Sequence, residues 1–145
     1  MSKRLQRARE LLAQRQFDEA QAICRTEIKL RRDVPAARKL LAVALYGHSV
    51  QLLAHGEFHA DVEALLREAL GLDPDNPDAL NNLGALLLKT NRPREAVAML
   101  ERNLRLARDG VAALENLALA QQECGDLEAA SASLKQLAEL APADN

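Results

Sequence analysis

Three histidines, His48, His55 and His59, stand at spacings of seven and four, with Asp61 and Glu63 close behind them. Imidazoles on one helical face beside a carboxylate are donors that a transition metal takes. Gly56, however, falls between His55 and His59 and interrupts the helix that would align them. The spacing is therefore read as surface histidines on an irregular insertion, which could itself serve as a contact surface. The two cysteines, Cys24 and Cys124, lie a hundred residues apart, with no Cys-x-x-Cys pair. Cys24 falls on an apolar helical stripe and reads as a small core hydrophobe, while Cys124, before Gly125, reads as a more exposed helix end. No Ser/His/Asp or Cys/His set, phosphate-binding loop or pair of buried carboxylates emerges, so neither an enzyme nor a cofactor or metal is expected.

The other residues that could do chemistry are amides, and they lead to the architecture. Asn82 and Asn116 are 34 positions apart, and each side chain offers a donor and an acceptor that could clamp a peptide unit. Their surroundings repeat with them. Leu80, Leu83 and Gly84 correspond to Leu114, Leu117 and Ala118, Ala96 corresponds to Ala130, and Leu100 to Leu134, all at the same offset of 34. A period of this length marks a unit of two helices and a turn.

On these residues the chain resembles the tetratricopeptide repeat family. Leu80, Leu83, Gly84, Leu87, Ala96 and Leu100 fill the family's slots in a third unit, and Leu114, Leu117, Ala118, Ala130, Leu134 and Pro142 fill them in a fourth. Aliphatics replace the usual aromatics, Gln121 stands where an aromatic is expected, and Arg108 stands in place of the late proline of the third unit. The slots demand volume or smallness, so Gly84 and Ala118 are expected to let helix backbones approach. A first unit follows from Ala8, Leu11, Leu12, Phe17, Ala20, Cys24 and Ile28, and a second opens at Val34-Pro35 and ends at Leu72-Asp73-Pro74. From Pro35 to Asn76 there are 42 residues where the template wants 34. An excess of eight is close to two helical turns, so the first helix of this unit, or the turn after it, is lengthened without losing its facing.

The fold class expected is thus all-α, a tetratricopeptide-type helical solenoid forming a single domain over residues 1–145. Its four helix-turn-helix units would cover about 1–34, 35–76, 77–110 and 111–144. Composition agrees: Phe17, Tyr46 and Phe58 are the only aromatics, and Ala, Leu, Glu, Arg and Gln dominate. Asn76 with Pro77, Pro93, and Gly125-Asp126 mark helix boundaries. No apolar run is long enough for a membrane span and no apolar leader opens the chain, so a cytoplasmic protein is expected. The formal net charge is -2, yet basic residues are concentrated from Met1 to Lys39. No aromatic interleaves that basic run, so nucleic acid is not the expected partner.

The resemblance implies a partner protein, bound as a peptide or helix in a groove lined by the first helix of each unit. Carried over by position, that groove shows Leu5, Gln6 and Arg9; Lys39, Leu40, Val43 and Tyr46; Asn81, Asn82, Ala85, Leu88 and Lys89; and Glu115, Asn116, Leu119 and Gln122. Asn82 and Asn116 would form a half-length asparagine ladder, since Gln6 and Leu40 hold the equivalent slots. The carboxylate clamp of chaperone-binding members matches at Lys39 and Asn82 but fails at Val43, Ala112 and Asn116, so chaperone tails are not expected ligands. Family arrays usually end in a polar-backed capping helix, whereas the last helix here carries Leu127, Leu134, Leu137 and Leu140. That end could support a homo-oligomer. The function implied is an adaptor in the assembly of a larger complex, with a single-client chaperone or a self-associating scaffold as alternatives.

Overall fold

The computed structural model describes residues 1–56, 59–106 and 110–140. Arg108, Pro142 and Phe58, and the side chain of His59, lie outside the described residues. Among the described residues there are eight α-helices and no strand: α1 (Lys3–Ala13), α2 (Phe17–Lys29), α3 (Val34–Ala54), α4 (His59–Leu72), α5 (Pro77–Lys89), α6 (Pro93–Leu106), α7 (Val111–Glu123) and α8 (Leu127–Leu140). The helices divide into two compact units, Met1–Pro74 and Asp75–Asn145.

The ends of the helices follow from local chemistry. Ser2 caps α1 by accepting from the Leu5 amide at 3.2 Å, Asn76 caps α5 by accepting from Ala79 at 3.1 Å, and Asp126 accepts from Ala129 at 3.1 Å ahead of α8. The turn that closes the first helix of a pair places one residue in the left-handed region, at Arg15 (φ 60°), Gly56 (71°), Asn91 (59°) and Gly125 (80°). The next amide reaches back to an orphan carbonyl, as in Gln16 to Leu11, Arg92 to Leu87 and Asp126 to Gln121. Glycine and asparagine take this conformation readily, so Gly125 and Asn91 match the site, whereas Arg15 occupies it at a steric cost.

The eight extra residues of the second pair are all helical. α3 has 21 residues, whereas α5 and α7 have 13 each. It is the helix that is lengthened, and Gly56 falls in the turn after it. The buried residues of the longer helix are Ala37, Leu41, Ala42, Ala44, Leu45 and Ser49, so its last turn and a half is bound to the core through Ser49 alone.

Within the first unit, Leu5, Ala8, Cys24, Ala37, Leu41, Leu45 and Ala69 form one buried cluster, and Leu11, Ala20 and Ala44 a second. Each buried leucine contributes about 1.5–3 kcal/mol relative to exposure. Glu27 is also buried there, accepting from the Ser2 hydroxyl at 2.8 Å and pairing with Arg4 at 3.5 Å. Arg25 of α2 and Glu68 of α4 form a two-pronged ion pair at 2.6 and 3.0 Å, and this bond raises the Arg25 pKa. In the second unit Leu80, Leu83, Leu87, Leu100 and Leu114 are fully buried. Gly84 allows α5 and α6 to approach: a Cβ there would lie 2.6 Å from Cγ of Leu100. The small-residue reading of Gly84 is therefore structural fact.

Candidate functional site

Of the residues assigned to a groove, those in the second unit come from α5 and α7. Asn81, Asn82, Ala85 and Leu88 are half-buried, Lys89 is exposed, and on α7 Asn116 is half-buried while Glu115 and Gln122 are exposed. Leu119, an apolar side chain on the same helix, is 46% exposed. Positions 81, 85, 88 and 82, 85, 89 recur at three and four residues, so a single helix face carries amides beside aliphatic carbon.

The amides are not independent. Nδ2 of Asn116 donates to Oδ1 of Asn81 at 3.1 Å, joining α5 to α7. The side chain of Asn82, the position one repeat before Asn116, makes no hydrogen bond among the described residues. Two equivalent positions thus differ in state, because the neighbour available to Asn116 is Asn81. The bond uses neither Oδ1 of Asn116 nor Nδ2 of Asn81, an acceptor and a donor. Such a pair matches the N–H and C=O of a peptide backbone.

In the first unit the assigned residues lie on α3 at 39, 43 and 46. Lys39 is exposed, Val43 is 51% exposed, and Tyr46 is half-buried against the core cluster. Leu5, which position also assigned to the groove, is fully buried with Ala8 and Leu41, because α1 turns that face toward α2 and α3. It is a core residue.

His48 also corrects the sequence reading. Its Nδ1 lies 3.1 Å from Nε2 of Gln21 and 3.4 Å from a carboxylate oxygen of Asp18, and its ring stacks on Phe17 with centroids 6.5 Å apart. Gly47 makes room for this contact, since a Cβ there would overlap the Phe17 ring. His48 is thus a packing residue between α2 and α3, while His55, the C-cap of α3, is exposed. Among the described residues no three His, Cys, Asp or Glu side chains gather in a group that could hold a metal.

Cys24 is fully buried, and burial pushes its thiol up to about 11. Cys124 is half-buried at the C-cap of α7. Gln121, in the slot expected to be aromatic, is buried and accepts from the Ser133 hydroxyl of α8 at 2.7 Å. One repeat earlier the same positions are Leu87 and Met99, so a polar pair replaces an apolar one. The sequence signal was Gln121 itself, and its partner required the fold.

At the last helix, Leu127, Leu134 and Leu140 are exposed and Leu137 is half-buried. Among the described residues no helix is long and apolar enough to cross a membrane.

Paired antiparallel helices with small residues at the close approach define a helical-hairpin repeat protein. Residues 5–49, 52–114 and 111–144 each match a family model described as tetratricopeptide repeat. The chain belongs to the tetratricopeptide repeat family, and its fold class is the all-α helical solenoid of that family. Among solved structures it is similar to YrrB, described as a TPR protein with an unusual peptide-binding site. That match has 20% identity and a TM-score of 0.70, and covers 96% of this chain and 68% of that one. It is also similar to MamA, at 18% identity and a TM-score of 0.64 over 90% of this chain and 76% of that one. A point mutant of MamA matches at 16% identity and a TM-score of 0.63, covering 97% of this chain and 96% of that one. These likenesses establish the fold. No curated protein matches the chain by sequence.

Proposed function

We propose that this protein is a protein-interaction scaffold that holds an extended peptide or a helix of a partner protein on the exposed faces of its first helices. The observation that carries the reading is the α5–α7 face, where the Asn81–Asn116 pair and Asn82 lie among Ala85, Leu88 and the exposed Leu119. Amides satisfy a ligand's backbone in register, and the aliphatic carbons give its side chains modest burial. Lys39, Val43 and Tyr46 form a second such face on α3. The family's usual use of its first helices and the peptide-binding site named for YrrB support the same reading. It assigns no catalysis, cofactor or nucleic acid.

The test is selection of peptides from a random display library on the full chain, followed by affinity measurements with an Asn82→Ala, Asn116→Ala variant. Selected peptides should lose at least about tenfold in affinity, equivalent to roughly 1.4 kcal/mol. Unchanged affinity in a folded variant would remove the α5–α7 face from the proposal.

A further inference from the structure

Most of the described arginines that could pair do so: Arg7, Arg25, Arg67, Arg92 and Arg102 each lie 2.6 to 3.6 Å from a carboxylate oxygen. Lys29, Arg31, Arg32, Arg38 and Lys39 do not. All five are exposed, and among the described residues none of their side chains makes an ion pair or a hydrogen bond. They crowd around the turn from α2 to α3. The reason they are unpaired is that the start of α1 takes the local acids. Asp33 accepts from the Ser2 amide at 2.8 Å, and the buried Glu27 accepts from the Ser2 hydroxyl and pairs with Arg4. Asp73, which follows α4, is an exposed acid at the same end, because α4 runs antiparallel to α3. Five cations thus face two exposed carboxylates.

Helix electrostatics does not account for the cluster. A cation gains at a helix C-terminus, which serves Lys29 and the arginines just past it, but Arg38 and Lys39 stand near the opposite end of α3, where the field favours anions. α3 has no acidic residue in its first turn, and the Asp33 side chain does not cap it. Its start therefore adds to the positive potential of the corner. Apolar surface adjoins it. Leu30, between the cations, is 47% exposed, and Val43, one turn beyond Lys39 on the same face of α3, is 51% exposed.

We propose that this corner binds an acidic segment from the interior of a partner protein's chain, its Asp or Glu side chains on the five cations and an adjoining aliphatic side chain on Val43. The inference rests on the scaffold reading and supplies the chemistry of the ligand on the α3 face. Guanidinium groups match carboxylates with two parallel bonds, and three of the five cations are arginines. Nucleic acid would need a stacking surface, and residues 29–39 hold no aromatic. A bilayer touches one plane, whereas α3 carries Lys39 and Val43 about 8 and 14 Å along its axis from its first residue.

The experiment uses peptides selected on the full chain from a random display library, then synthesised with amidated C-termini. They should carry an excess of Asp and Glu over the unselected library. Their affinity should fall at least about fivefold between about 50 and 300 mM sodium chloride. The Arg31→Glu, Arg32→Glu variant should bind them at least about tenfold more weakly with unchanged helical circular dichroism. Arg94→Glu with Arg105→Glu, the same change of net charge on exposed positions of α6, should alter affinity by less than about twofold. Selected peptides without an acidic excess would overturn this inference and leave the scaffold reading standing. So would acidic peptides indifferent to the reversal at Arg31 and Arg32, or sedimentation with phosphatidylserine vesicles in place of peptide binding. Failure to select any peptide would overturn the scaffold reading, and this inference with it.

Discussion

Nδ2 of Asn116 lies 3.1 Å from Oδ1 of Asn81, and the bond ties the first helix of one repeat to the first helix of the next. Half-buried amide pairs of this kind contribute about 0.5–1.5 kcal/mol net. Asn116→Asp replaces the donor with an acceptor facing another acceptor. Urea unfolding should show a stability loss of about that size or somewhat more, and Asn82→Asp, with no partner to lose, should change it by less than ~0.5 kcal/mol. Equal losses at both positions would mean that the bond carries no stability.

Gly84 supplies a second test. A methyl group there would meet Leu100 at 2.6 Å, in a region where Leu83, Leu87 and Leu100 leave no exposed surface. Gly84→Ala should therefore lower stability by about 1–3 kcal/mol through overpacking, despite the better helix propensity of alanine. Adding Leu100→Val should return part of the loss. Thermal unfolding of the single and double variants measures both effects.

The buried pair of Gln121 and Ser133 predicts non-additivity. Gln121→Leu alone deprives the Ser133 hydroxyl of its acceptor, and Ser133→Met alone strands the Gln121 amide, each costing about 1–3 kcal/mol. Together they recreate the Leu87 and Met99 pair of the preceding repeat, so the double variant should be at least as stable as wild type. A double-mutant cycle in urea reads the coupling directly.

Cys24 makes stability depend on pH. Its folded thiol titrates near 11 against an ordinary value of 9.0, because burial disfavours the thiolate. The folded state therefore holds its proton where the unfolded chain has begun to lose it. The contribution is fully present below pH 9.0 and is lost as pH rises through about 11. Cys24→Ala should flatten that alkaline decline in a series of unfolding curves. In the same protein at pH 8 a thiol reagent should modify Cys124 first, and Cys24 only in denaturant.

Much of this was readable from residue order. The offset of 34 between Leu83-Gly84 and Leu117-Ala118, with Asn76-Pro77 and Gly125-Asp126 at boundaries, determines paired helices because helix capping and helix-face periodicity are local properties. The excess of eight residues before Asn76 also had to be nearly two turns if the facing was to survive. Local rules left open whether helix or turn absorbed it, and the 21 residues of α3 answer that.

Only the tertiary structure decided which side chains meet across helices. Asn82 and Asn116 are equivalent in the sequence, but only Asn116 lies beside Asn81. Leu5 was given to a groove by position, yet α2 and α3 close over it. His48 looked like part of a surface insertion, and packing put its ring on Phe17 with Gly47 clearing the space. The reason is common to all three. A repeat dictates where a residue sits on its own helix, while its partner is set by the distance and rotation of the next helix, and those follow from packing the whole unit at once.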